Sequence, residues 1–266
     1  YQTGRIKKIT NSANQTQTYT YNNQGYVKTY RNSQNSDSYT YGYDGAGRLI
    51  SDGKYTYAYD GYNNITKKQT GVSSVTFGYD TTKKTQLNSV SENGNTKYFG
   101  YDEMGNIITY KGATATDTQN LYWTRGNMLA SGSIKDGVTF SYKYGADNVR
   151  YSKTVNGVET VYFWDDGLLV AEKTGDRLIQ YCYGAGRIAG MRYGDAYYYF
   201  EKNLLGDVVR VYNAVGSVAA EFKYDSYGNG ISESGGMASE IKFRYRGYYY
   251  DSETGFYYLQ SRYYDP

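Results

Sequence analysis

The side chains that carry out most protein chemistry are almost missing. There is no His, and Cys182 is the single Cys. That removes Ser-His-Asp and Cys-His nucleophilic catalysis, His-ligated zinc and internal disulfides together. Carboxylates and rings remain. Asp44, Asp60, Asp102 and Asp225 stand one per turn and far apart in sequence, whereas a calcium ion takes about six to eight oxygens at one point. They are therefore assigned to turn capping, with no metal and no cofactor. The aromatic runs Tyr197 to Phe200 and Tyr248 to Tyr250 offer faces for stacking on sugar rings. They are assigned to packing, since rings are the core available to this chain. Cys182, in Tyr-Cys-Tyr, is expected as a small buried strand residue.

The elements that position these residues repeat. Tyr41-Gly-Tyr43-Asp44-Gly-Ala-Gly47-Arg-Leu, Tyr57-Ala-Tyr59-Asp60, Phe99-Gly-Tyr101-Asp102-Glu-Met-Gly105-Asn-Ile, Tyr181-Cys-Tyr183 and Phe222-Lys-Tyr224-Asp225-Ser-Tyr-Gly228-Asn belong to one series. Their spacing, about 20 residues, is that of a single supersecondary unit. Aromatic-x-aromatic alternates with period two, which places both rings on one strand face. Asp-x-x-Gly is a type I turn followed by a positive-φ residue, the three-residue hairpin loop with a bulge. Leu49, Ile65, Ile107, Leu129 and Ile188 open the outgoing strands and are expected beside the incoming rings. One unit is one antiparallel hairpin, and no hairpin buries its face alone, so the hairpins must pair into a long sheet.

Composition supports the same architecture. Aliphatic residues are scarce enough to raise the question of disorder. The net charge is only +3, however, and 38 Tyr supply apolar area together with hydroxyls that need partners. An ordered, thin core of stacked rings follows. The 32 Gly interrupt every helical window. The 29 basic and 26 acidic residues are interspersed, so no basic stripe recommends a nucleic-acid partner. No apolar run reaches membrane-spanning length, and no signal peptide opens the chain. Tyr1-Gln2-Thr3-Gly4-Arg5 reads like the tail of a turn already under way, as in an excerpt from a longer chain.

The last two dozen residues are the most specific. Tyr248-Tyr249-Tyr250 lead into Asp251-Ser252-Glu253-Thr254-Gly255, and Phe256-Tyr257-Tyr258 lead out. Asp251 is placed to accept backbone N–H groups and Gly255 to take a positive φ; the whole is a hairpin. The wording from Arg244 through Arg246, Gly247, Asp251, Gly255, Tyr257, Tyr258 and Tyr263 to Asp265-Pro266 resembles the RHS-repeat-associated core. The repeat itself resembles the YD repeat, over nearly the whole chain. Residues 197–209 resemble a further family segment, departing from it at Asn203 and Asp207. The resemblance implies an all-β fold, in which tandem hairpins form one long spiralling antiparallel sheet, part of a hollow β-cocoon shell. Residues 1–242 would be the hairpin array and 243–266 the core segment of the same continuous domain.

Family members enclose a C-terminal effector, usually a toxin. The implied function is thus a structural, non-enzymatic encapsulation module of a secreted or cell-surface protein. Its partners would be the upstream shell repeats and an effector on the same polypeptide. Several members carry an aspartyl autoprotease built from two Asp-Pro-x-Gly motifs. The counterpart here is Asp265-Pro266, one half of such a site in the longer parent protein, with Arg262 expected to pair with Asp265. A cell-surface carbohydrate-binding or adhesion repeat is the alternative. Its usual Gly-Trp pairs are missing, since neither Trp123 nor Trp164 follows a Gly. An edge strand within residues 1–20 would also promote self-association.

Overall fold

The computed structural model describes residues 4–11, 14–34, 37–112 and 118–266. Backbone contacts gather into two compact units, Tyr1–Phe99 and Gly100–Pro266. Among the described residues there is no α-helix, consistent with the glycine spacing, and no helix long and apolar enough to cross a membrane.

In the first unit, strands Lys8–Thr10, Thr16–Tyr21, Val27–Asn32 and Ser38–Thr40 pair in that order. A second antiparallel ladder runs from Gly42–Tyr43 through Thr56–Tyr59, Ile65–Gln69 and Ser74–Tyr79 to Leu87–Glu92. In the second unit, strands from Gln119–Thr124 to Gly230–Ser234 each pair with the next in the chain. The chain leaves the ladder after Ser234, passes through 3-10 turns at Ala238–Glu240 and Tyr245–Gly247, and forms a separate sheet of Tyr249–Asp251, Phe256–Tyr258 and Tyr263–Tyr264.

Each hairpin follows from its residues. Tyr57 and Tyr59, Tyr181 and Tyr183, and Phe222 and Tyr224 point to one face, with the first ring of each pair buried. The apolar residues fall opposite the second ring: Leu49 faces Tyr43, Ile65 faces Tyr59, Leu129 faces Trp123 and Ile188 faces Tyr183. Asp60 shows the turn chemistry. Its Oδ1 accepts the N–H groups of Tyr62 (2.8 Å) and Asn64 (2.9 Å), and Asn63 takes φ 67°. A second device was not read from the sequence. The register slips by one residue just after the turn, between Ala58 and Tyr59 or between Cys182 and Tyr183, so the outgoing strand carries a bulge.

That bulge gives the second aromatic its partner. Tyr59 Oη donates to the Leu49 carbonyl at 2.7 Å, Tyr79 to Ile65 at 2.9 Å, Trp123 Nε1 to Ile107 at 2.6 Å and Tyr183 Oη to Leu169 at 2.8 Å. Tyr43, Tyr144, Trp164 and Tyr224 do the same. Each carbonyl belongs to the hairpin before. Ring donors thus tie successive hairpins together, and Phe cannot replace them.

Period-two alternation also corrects one expectation. Ile179 and Tyr181 point inward, so Cys182 between them points outward and is exposed. The same rule divides Tyr197 to Phe200: Phe200 is buried, whereas Tyr197 and Tyr199 are exposed.

Candidate functional site

The chemically densest place in the second unit is a buried ionic cluster where the terminal hairpin meets the ladder. Strand Arg150–Val155 supplies two cations, Arg150 and Lys153. Three residues apart, they would ordinarily lie on opposite strand faces. The register slip between Lys143 and Tyr144 places the bulge at Tyr151, and both cations then point inward. The terminal hairpin supplies Asp251 and Glu253.

Arg150 grips Asp251 with both guanidinium nitrogens, Nη1 to Oδ2 at 2.7 Å and Nη2 to Oδ1 at 2.9 Å. Lys153 Nζ reaches Asp251 Oδ1 at 3.1 Å and both Glu253 oxygens at 3.0 Å. Tyr142 Oη donates to Glu253 Oε1 at 2.8 Å. Arg150 is 1% exposed and Asp251 0%, so this pair is sealed from water. Four rings cage the guanidinium, with centroids 4.3 Å (Tyr258), 4.5 Å (Tyr142), 5.1 Å (Tyr162) and 5.5 Å (Tyr249) from Cζ. The Arg150 N–H donates to Tyr258 Oη at 3.0 Å, and Tyr249 Oη donates to Glu172 at 2.6 Å.

Burial alone would raise the Asp251 carboxyl, but the Arg150 and Lys153 charges override it and hold the group below the ordinary carboxylate value. Burial likewise works to lower Lys153; the Tyr162 oxygen and the Asp251 and Glu253 carboxylates more than offset that. Arg150, Lys153 and Asp251 are held as ions. The arrangement fastens one segment to another. Removing one member of a buried pair costs about 3–5 kcal/mol because it strands its partner.

The remaining terminal residues act alike. Arg244 lies between the Phe222 and Tyr250 rings at 4.8 and 4.6 Å and pairs with Glu233 at 2.7 Å. Its Nε and Nη2 donate to the Ile241 and Ala238 carbonyls. Arg246 takes φ 56°, and its N–H donates to Asp207 at 2.8 Å. Asp207 also receives Asn203 Nδ2 at 2.6 Å, so the two positions that depart from the family wording bond to each other. Burial pushes the Asp207 carboxyl up, against the Asn203 and Arg246 donors. Tyr257 donates to the Gly228 carbonyl at 3.1 Å. Gly228, at φ 94°, lies against the Tyr245 ring, 2.6 Å from where a Cβ would stand. Tyr263 shares a hydrogen bond with Tyr144 at 2.6 Å. Gly247 (φ 70°) and Gly255 (φ 79°) make their turns with positive φ.

Two expected pairings are not formed. The Asp251 carboxylate does not cap its own turn: its main-chain carbonyl accepts the Gly255 N–H at 2.8 Å while the side chain is held by Arg150 and Lys153. Among the described residues Arg262 makes no ion pair with Asp265. The Arg262 side chain is exposed, and Asp265 Oδ2 accepts from Tyr110 Oη at 2.8 Å. The turn residues Asp44, Asp102 and Asp225 accept the N–H groups of Arg48, Asn106 and Asn229, and Gly47 and Gly105 take φ 81° and 87°.

Sequence reasoning singled out Asp251 but missed Arg150, Lys153 and Glu253. A signal exists. Arg150 faces Tyr144, the slot that holds Leu49, Ile65, Leu129 or Ile188 in other hairpins, and a cation in an apolar slot implies a buried counterion.

Residues 2–266 match the family model described as the teneurin YD-shell. The chain belongs to the YD-shell family. Relatives include the tRNA3(Ser)-specific nuclease WapA of Bacillus spizizenii, 32% identical over 215 residues, which are 77% of this chain and 9% of that protein. The tRNA nuclease WapA of Bacillus subtilis is 33% identical over 180 residues, 65% of this chain and 8% of the relative. The chain therefore spans less than a tenth of these relatives. Among solved structures, TcdB2-TccC3 without its hypervariable C-terminal region superposes with TM-score 0.63 at 16% identity, covering 99% of this chain and 17% of that one. At that identity the likeness is one of fold. An all-β YD-repeat architecture is thereby established.

Proposed function

We propose that this chain is the wall and closing segment of a secreted shell that encloses a toxic effector carried on the same polypeptide, and that upstream repeats complete the wall. The observation that carries this reading is the fastening of the terminal segment onto the ladder through Arg150, Lys153, Asp251 and Glu253. A segment used only as a linker needs no such buried ionic anchor. The names of the two relatives, both tRNA nucleases, make a nuclease one class of cargo to test. The experiment is protease protection of the residues following Pro266 in the longer protein. Wild type should shield them and Asp251→Ala should expose them; equal cleavage in both would refute enclosure by this segment.

Within that reading Asp265 supplies one carboxylate of a self-cleavage site in the longer protein. What supports this is its place beside Pro266 along a cavity shared with Arg244 and Tyr257. Intact mass of the longer product should show wild type split and Asp265→Asn whole. Two whole products would remove Asp265 from the chemistry. The exposed rings of Tyr197 and Tyr199 keep a glycan-binding role open to a pull-down, in which tight saturable binding would favour that role over enclosure. Self-association through strand Lys8–Thr10, at the end of its sheet, is tested by ultracentrifugation. Residues 1–3, 12 and 13 of that expected edge lie outside the described residues.

A further inference from the structure

A second place between the ladder and the terminal segment has the opposite electrostatics. A cavity of about 760 Å³ is lined by Arg187 and Lys202 from the ladder and by Arg246 and Arg262 from the terminal segment, with Trp164 and Tyr248 among its rings. Among the described residues no Asp or Glu side chain lines it. Four other arginines of the unit have carboxylates: Arg150 with Asp251, Arg177 with Glu240, Arg210 with Glu221 and Arg244 with Glu233. Among the described residues Arg187 and Arg262 make no ion pair. Lys202 donates to the Ile188 carbonyl, and Arg246 has Asp207 only at 3.8 Å. Burial, and then the Arg187 charge, lower the Lys202 ammonium, so like charges approach one another here.

We propose that this cavity binds a small oligophosphate anion. Its volume lies in the range of small-ligand sites, roughly 300–1,000 Å³, and guanidinium forks suit phosphate oxygens in two-point contact. The cations come from both segments, so a bound anion neutralises both and draws the terminal segment onto the ladder. Binding to the folded form alone then raises its stability. The site is a latch that depends on the anion, distinct from the permanent fastening at Asp251.

The test is calorimetric titration of the whole chain with sodium tripolyphosphate in phosphate-free, low-salt buffer, beside thermal melting with and without it. One site per chain is expected, together with a raised melting temperature and affinity that weakens with added salt. Arg187→Gln and Arg262→Gln should each weaken binding by about tenfold or more. Arg187→Lys, which keeps the charge but loses the two-point fork, should bind between wild type and Arg187→Gln. Arg192→Gln, on an arginine paired with Asp195 and outside the cavity lining, should leave affinity unchanged. Absence of saturable binding would overturn the proposal. So would equal weakening in Arg192→Gln, which means diffuse surface attraction, or preference for a poly-glutamate peptide over tripolyphosphate.

Discussion

The two units are built from one repeat but differ sharply in core. Among the described residues of the first unit the deeply buried hydrophobic side chains are Tyr19 and Tyr57. In the second unit one cluster joins ladder residues such as Tyr162, Leu169, Ile179, Met191, Val208 and Val211 to Ala238, Ile241, Phe243, Tyr249 and Tyr258 of the terminal segment. The inward faces alternate alike in both. What differs is the cover: residues 235–264 lie on the second ladder and convert half-buried rings into a packed core. A hairpin wall made of Tyr is therefore only half of a hydrophobic core. Its closing segment is the other half.

The largest effect is expected at the fastening. Asp251→Ala strands Arg150 in the cage, while Lys153 keeps Glu253, and should lower the stability of the second unit by about 3–5 kcal/mol, read from urea unfolding. Arg150→Met combined with Asp251→Leu should recover much of that loss, since neither charge is then left alone. Failure of the pair to recover would mean that the cage is held mainly by its rings. Acid supplies a related measurement. The Asp251 carboxyl is held below its unfolded value of about 3.9. Its contribution is therefore fully present above that pH and is lost as pH falls through the folded value. The stability gap between wild type and Asp251→Asn should stay constant from neutrality to about pH 5 and narrow below about pH 4.

Smaller effects sharpen the contrast between units. Tyr183→Phe removes the bond to the Leu169 carbonyl in the covered unit and should cost about 1 kcal/mol. Tyr59→Phe removes the equivalent bond to Leu49 in the first unit and should cost less, because water replaces the lost donor more readily there. Equal costs would show that the ring-donor ties are independent of cover. The smallest change is expected at Asp60→Ala, which frees two turn N–H groups already near water; faster amide exchange confined to residues 60–64 is the readout.

The repeat was legible because each element is local. Tyr57, Tyr59, Asp60 and Ile65 lie within one hairpin, so alternation and turn chemistry place them without tertiary information. The terminal hairpin was legible for the same reason, with strands Tyr249–Asp251 and Phe256–Tyr258 around the expected turn. The fastening was not, because Arg150 and Asp251 are 101 residues apart and no periodicity reports a pair at that distance. The same locality misread Asp251, whose turn position favours a cap until a buried arginine competes for its carboxylate. Cys182 was misplaced by residue type, where alternation from Tyr181 already turned it outward. The ring ties were hidden because ring packing does not separate Tyr from Phe; only the hydroxyl does.

The terminal segment supplies the missing half of the second unit's core. Native-state amide exchange across residues 118–234 tests it most directly, comparing the whole chain with one ending at Ser234. Strands Val158–Asp165, Leu168–Thr174 and Arg177–Gly184 should lose most of their slow exchange in the shortened chain. Retention of full protection in those strands would contradict it.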